Sequence, residues 1–187
     1  MKVVSRILIT VLAILFLGYF YFLHLIKSNV AINRNTTDAI VVLGDARPIF
    51  NKSVELLKQG YAPLIFYAGT RTRPEFLNLF IQHHLTPEQF VFDQEIQDNT
   101  ISKNDHVANF LIKYKLNSIR VIGDAVQMPR IKVALFYSVP KGTVIILHPM
   151  QYNDIEYKTL IIEYLEYVVM LIAAFLGCVN QLYFPYD

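Results

Sequence analysis

The chain has 187 residues, of which 54% are hydrophobic and 17% charged, with no Trp, a single Cys and a formal net charge of +2. The apolar fraction excludes a disordered chain, and the lone Cys excludes an internal disulfide and a multi-cysteine zinc site. So small a positive surplus, with no basic run, leaves no footprint for nucleic acid, and the length suits one domain plus an anchor.

Residues 1–27 read as an N-terminal membrane anchor. Lys2 and Arg6 precede an uncharged stretch from Ile7 to Ile26, closed by Lys27. Those twenty residues, at about 1.5 Å each, cover about 30 Å, the thickness of the hydrocarbon layer. Tyr19 and Tyr21 near the far end suit an interfacial belt. A cleaved signal peptide has an apolar region of only about 7–15 residues followed by a small-x-small site, so an uncleaved single-pass anchor is expected. Lys2, Arg6 and the terminal amine slightly outweigh Lys27 and Arg34 beyond the span. The positive-inside rule then puts the N-terminus in the cytoplasm and the body in the periplasm of a bacterial inner membrane.

A polar linker, 28–37, leads into a domain over 38–187 in which strands and helices alternate. Ala39 to Leu43 is a continuous apolar run, the mark of a strand buried on both faces. Phe50 to Gln59 reads as a helix stopped by Gly60, and Leu64 to Tyr67 as the second strand. Pro74 to Gln82 reads as a helix with Pro in its first turn, and Phe90 to Phe92 as a weak third strand. Thr100 to Tyr114 is expected to be helical, Ser118 to Ile122 a fourth strand, Pro129 to Tyr137 a short helix and Thr143 to Leu147 a fifth strand. A long terminal helix starts at Asp154, and its apolar part, Tyr167 to Val179, is short for a span and reads as a buried core helix with Cys178 inside it, the alternative being a re-entrant or second membrane segment. Alternation of this kind predicts an α/β fold, a Rossmann-like doubly wound parallel sheet of about five strands behind one transmembrane helix.

In such sheets ligands bind at the carboxyl ends of the strands beside helix N-termini. The residues there are Gly44-Asp45 after the first strand, Gly69-Thr70-Arg71 after the second, Asn99-Thr100 after the third, and Asp124, Gln127 and Arg130 after the fourth, with His148 following the fifth. Gly44 and Gly69 would let backbone amides approach an anion, while Thr70, Asn99, Thr100 and Gln127 would add side-chain donors. Arg71 and Arg130 would neutralise the anion, and Asp45 and Asp124 are the carboxylates placed for proton transfer. Each position also has a plain structural reading. A Gly after a strand is a common turn residue, Asp98 to Thr100 would serve as a helix N-cap, and Arg71 with Arg73 would suit a solvated loop. No phosphate-loop, GxGxxG, GxSxG or paired-histidine metal signature is present.

At these residues the chain resembles the YdcF-like family of envelope proteins, a group built on a domain of unknown function. DAIVVLG (Asp38 to Gly44) is similar to its opening strand and glycine, and LLKQGYAPLIFYAG (Leu56 to Gly69) to its helix, turn and second strand. Asp98 to Thr100 resembles an Asn-Thr motif, and Met128 to Arg130 with Phe136 a His-x-Pro-Arg segment. The chain departs from the pattern where the family has Ser-Gly-Gly, here Ala68-Gly69-Thr70, and where it has His, here Gln127. Gln is no general base at neutral pH, so His-dependent chemistry is lost or moved. The resemblance implies work on a phosphorylated or lipid-linked cell-wall or surface-polysaccharide intermediate at the membrane. The departures favour an alternative, an inactive ligand-binding or scaffolding protein of the envelope. No cofactor is called for by any residue.

Overall fold

The computed structural model describes residues 2–28, 34–44, 46–68, 81–92, 103–150 and 155–177. Among them, β1 (Ala39–Val42), β2 (Ile65–Tyr67), β3 (Phe90–Phe92), β4 (Ser118–Asp124) and β5 (Val144–Met150) form one sheet in the spatial order β3-β2-β1-β4-β5. Every neighbouring pair is parallel, so the expected doubly wound α/β sheet is the observed one. The apolar run of β1 explains its central place. All four residues are fully buried, and their side chains alternate between two cores.

On one face Ala39 and Val41 meet Phe66 and Val121 under α3 (Lys103–Tyr114) and α4 (Met128–Ser138). On the other, Ile40 and Val42 join Ile65, Tyr67 and Ile122 under Phe50, Val54 and Leu57 of α2 (Arg47–Lys58). Helix α2 starts three residues ahead of its apolar periodicity because Pro48 presets the first turn. Strands β4 and β5 outrun their apolar runs because Gly123 pairs with Pro149 and Asp124 with Met150, continuing the ladder where hydrophobicity no longer marks it. The helix expected over Pro74 to Gln82 lies mostly outside the described residues, as do Thr100 to Ser102 of the helix expected over Thr100 to Tyr114, and Asp154.

The sheet's entrance is tied by Asp38. Its Oδ2 accepts the backbone N–H of Asn117 and of Ser118, both at 2.8 Å, and the Ser118 hydroxyl at 2.9 Å. The Asn117 amide is the main reason its carboxyl titrates below the usual range, with burial opposing it and the Ser118 hydroxyl and amide adding to it. A lowered folded value means that this stabilisation is full above the unfolded value and is lost as pH falls through the folded one. Asp38→Asn is therefore expected to lower stability by on the order of 1 kcal/mol at pH 7, with allowance for solvent. Urea titrations should show the gap from the parent protein closing below pH 4 (roughly the unfolded carboxyl value).

Two helices stand outside the sheet layers. Helix α1 (Lys2–Ser28) contains a 26-residue segment, Val3–Ser28, long and apolar enough to cross a membrane. Helix α5 (Tyr157–Leu176) does not return to the sheet but lies on α4 and α1. The expectation of a buried core helix is therefore corrected. Glu163, Tyr164, Tyr167, Met170 and Ala173 form one buried stripe, while Phe175 is 90% exposed, and Cys178 lies outside the described residues. The reason is topological: α3 and α4 already occupy that side of the sheet, leaving α5 a single flank to cover.

Helices α1 and α5 meet closely. The Tyr164 hydroxyl donates to the Leu15 carbonyl at 2.6 Å, and a Cβ on Gly18 would lie 2.6 Å from the same hydroxyl, so Gly18 permits the approach. Phe22, fully buried, packs against Tyr164 and Tyr167 with ring centroids 5.7 and 5.6 Å apart. Contacts move forward together along both helices, from Leu15 with Tyr164 to Phe22 with Tyr167, so the two run in the same direction.

Candidate functional site

The strand order reverses between β1 and β4. The chain leaves β1 for β2 and β3, then returns to lay β4 on the open side of β1. Segments leaving the two strands go to opposite faces, α2 over one and α4 over the other, which opens a crevice at their carboxyl ends. Both helices begin at this edge with Pro in the first turn, and neither N-cap residue, Ala46 or Gln127, caps its helix with a side chain. Pro48 and Pro129 carry no N–H and the Ile49 N–H donates to the Ala46 carbonyl at 3.0 Å, so what each start offers a negative charge is chiefly the positive end of its helix dipole.

Two glycines shape the crevice. Gly44 has φ +115°, a conformation that L residues with side chains rarely adopt, and it turns the chain from β1 toward α2. At Gly123 an added Cβ would lie 3.2 Å from Met128 Cε and 3.3 Å from the Leu43 carbonyl. Its missing side chain lets the ends of β1, β4 and α4 converge.

Asp124 ends β4 half-buried at the crevice. Its Oδ1 accepts the Val126 N–H at 3.0 Å, and its backbone carbonyl accepts the Gln127 N–H at 3.1 Å. Burial raises its carboxyl titration, with the Val126 amide pulling the other way. It therefore combines an orienting role in the turn with a carboxyl that releases its proton less readily than a solvated one.

Arg130 occupies a different place from the one the sequence suggested. Its side chain is fully buried, with Nε 3.2 Å from Glu163 Oε2 and Nη2 3.2 Å from Glu166 Oε2. Gln127, also buried, hydrogen-bonds Glu163. The expected anion-neutralising arginine is thus engaged by two carboxylates of α5, because a guanidinium carried into a core needs compensating charge. Gln127 is likewise turned toward α5.

Of the other expected site residues, Asp45, Gly69, Thr70, Arg71, Asn99 and Thr100 lie outside the described residues. Ala68, just before Gly69, is buried and donates its N–H to the Val42 carbonyl at 3.1 Å. His148 lies inside β5 rather than after it, paired with Ile122. Its imidazole titrates below the usual range, chiefly through burial and next through the charge of Arg120, with Lys52 adding to and Glu55 opposing the effect. Among the described residues no cluster of three or more His, Cys, Asp or Glu side chains could hold a metal ion.

Three further polar residues carry no signal in the sequence. His106, in the first half of α3, is 2% exposed. Glu163 is visible only as a charge in an apolar stretch. Arg120 sits fully buried in the middle of β4, its Nη2 donating to the Asn35 carbonyl and its Cζ 4.7 Å from the centre of the Tyr61 ring. Among the described residues its Nε and Nη1 have no hydrogen-bond partner.

The chain is similar to proteins that are themselves uncharacterized. The chain is 27% identical over 176 residues to an uncharacterized protein of Rickettsia prowazekii (strain Madrid E), covering 90% of this chain and 99% of that one. It is 26% identical over 173 residues to an uncharacterized protein of Rickettsia conorii (strain ATCC VR-613 / Malish 7), covering the same shares. No family model and no solved structure matches it.

Proposed function

We propose that this is a membrane-anchored envelope protein, akin to the YdcF-like proteins, whose β1/β4 crevice binds the phosphorylated end of a lipid-linked cell-wall or surface-polysaccharide intermediate. The body lies on the periplasmic side of a bacterial inner membrane. The observation that carries the reading is the crevice itself, opened by Gly44 and Gly123 between two helix starts that lack side-chain caps. The positive ends of two helix dipoles facing one crevice suit a phosphate, with Asp124 as the carboxylate at its α4 side. Anchoring suits a bilayer-confined ligand, since tethering raises the effective concentration of a partner held in the same membrane.

Whether the bound molecule is also transformed turns on the carboxylates. Asp124 is a half-buried acid at the crevice with a raised titration, the property a general acid or base requires. A second reading, binding without turnover, is supported by the engagement of Arg130 and Gln127 with Glu163, which removes two polar side chains from ligand contact.

Isothermal titration of the detergent-solubilised full chain with a polyprenyl phosphate, and with inorganic phosphate, tests the proposal. The lipid phosphate should bind and Asp124→Asn should keep its affinity within about twofold, because Asn retains the Val126 contact and removes only the charge. If the protein is an enzyme, the same substitution lowers turnover of a lipid-linked substrate by about a hundredfold or more. The variant should fold at least as well as the parent at pH 7. A raised folded value means the protonated form is favoured by folding, its contribution fades as pH rises through that value, and Asn mimics it. Absence of polyprenyl phosphate binding by the parent protein would overturn the proposal.

A further inference from the structure

Resting on the reading of α1 as a membrane span, we infer that the outer face of α5 is itself seated in the bilayer against acyl chains. The body is then held to the membrane along a helix instead of hanging from a tether.

The first argument is length. Only Val3–Ile14 of α1 is exposed throughout, and Leu15, Gly18, Phe22 and Ile26 are in contact with the body or partly covered by it. Those twelve residues extend about 18 Å at 1.5 Å per residue, and the roughly 30 Å hydrocarbon layer is reached only by adding the partly covered turns around Leu15 to Tyr21. A docked α1 can cross the bilayer only if its second half is immersed too, and α5 lies beside that half.

The second argument is the chemistry of α5. Ile161, Leu165, Ile172 and Phe175 are 52, 51, 54 and 90% exposed, a charge-free apolar face continuous with α1. Beyond Lys158 the helix carries two charged residues, Glu163 and Glu166. Both pair with Arg130, each 3.2 Å from its guanidinium, Glu163 buried and Glu166 partly exposed at the edge of the face. Paired charges with apolar side chains outward are what a lipid-facing helix requires.

The third is the junction. Between α1, α4 and α5 runs a groove of about 460 Å³, lined by Tyr21, Leu25, Val133, Phe136, Leu171 and Phe175 among others, with Lys132 as the charged residue of its lining. An acyl chain fits its apolar walls, and a cation beside it suits a lipid phosphate.

The test places a polarity-sensitive fluorophore on single cysteines, in a Cys178→Ser background, at Leu12 (α1), Ile172 (α5) and Gln59 (after α2). The full chain is reconstituted in vesicles of phosphatidylethanolamine and phosphatidylglycerol. Expected is quenching of the Ile172 label by acyl-chain quenchers to the same extent as the Leu12 label, with loss of iodide quenching at both and strong iodide quenching at Gln59. A Leu12 label in lipid with an Ile172 label open to iodide would overturn the inference and leave the anchor standing. Both labels open to iodide would sink the anchor reading itself. An Ile172 label shielded from both quenchers, with energy transfer between copies, would mean that a second copy of the chain covers this face, and would also overturn it.

Discussion

Replacing Arg130 with Ala is expected to destabilise the protein by about 3–5 kcal/mol, because it leaves Glu163 and Glu166 of α5 without their buried counter-charge. The loss should appear in urea unfolding of the detergent-solubilised chain followed by circular dichroism. Replacing the whole cluster with apolar residues of similar size (Arg130→Met, Glu163→Leu, Glu166→Leu) should recover most of it, since desolvated pairs contribute little net stability beyond the cost of breaking them. An Arg130→Ala protein as stable as the parent would return this arginine to the list of ligand-contacting groups. The consequence for functional work is direct. Loss of a phenotype in Arg130→Ala reports on folding first, so Asp124→Asn is the cleaner probe of the crevice.

Phe22→Ala is the second large effect, with an expected cost of about 3–4 kcal/mol from the cavity left between α1, Tyr164 and Tyr167. The matched control is Leu12→Ala. Leu12 is 56% exposed on the free part of the same helix, so its truncation should change stability by less than about 0.5 kcal/mol in micelles. The contrast measures whether α1 is part of the folded body or only attached to it. Hydrogen exchange should show the same thing locally, with amides of α5 around Tyr164 opening about a hundredfold faster in Phe22→Ala. Equal, small effects at both positions would mean that α1 is a passive tether, and the bilayer seating of α5 would lose its length argument.

Much of the fold was legible in local pattern. The apolar run Ala39 to Leu43 could hardly be anything but a strand buried on both faces, and alternation with short helices left a parallel sheet as the economical arrangement. The carboxyl-edge crevice followed from that topology, and Gly44 and Asp124 lie where it placed them. His148 did not, because β5 continues past the end of its apolar run by pairing with β4. Asp45, Gly69, Thr70, Arg71, Asn99 and Thr100 lie outside the described residues, so the crevice is defined by its β1 and β4 walls alone.

By itself the sequence determined what depends on neighbours within a few positions: an apolar helix long enough for a bilayer, the strand and helix alternation, and the glycine and proline turns. Only the tertiary structure decided which distant groups meet. Arg130 was read as a ligand-facing arginine and is held by Glu163, 33 positions away, while Tyr164 reaches Leu15 across 149 positions and Arg120 reaches Asn35 across 85. Short-range pattern follows from backbone geometry and side-chain periodicity. The partner of a buried charge is chosen by which helix the packing brings alongside, and no local spacing encodes that.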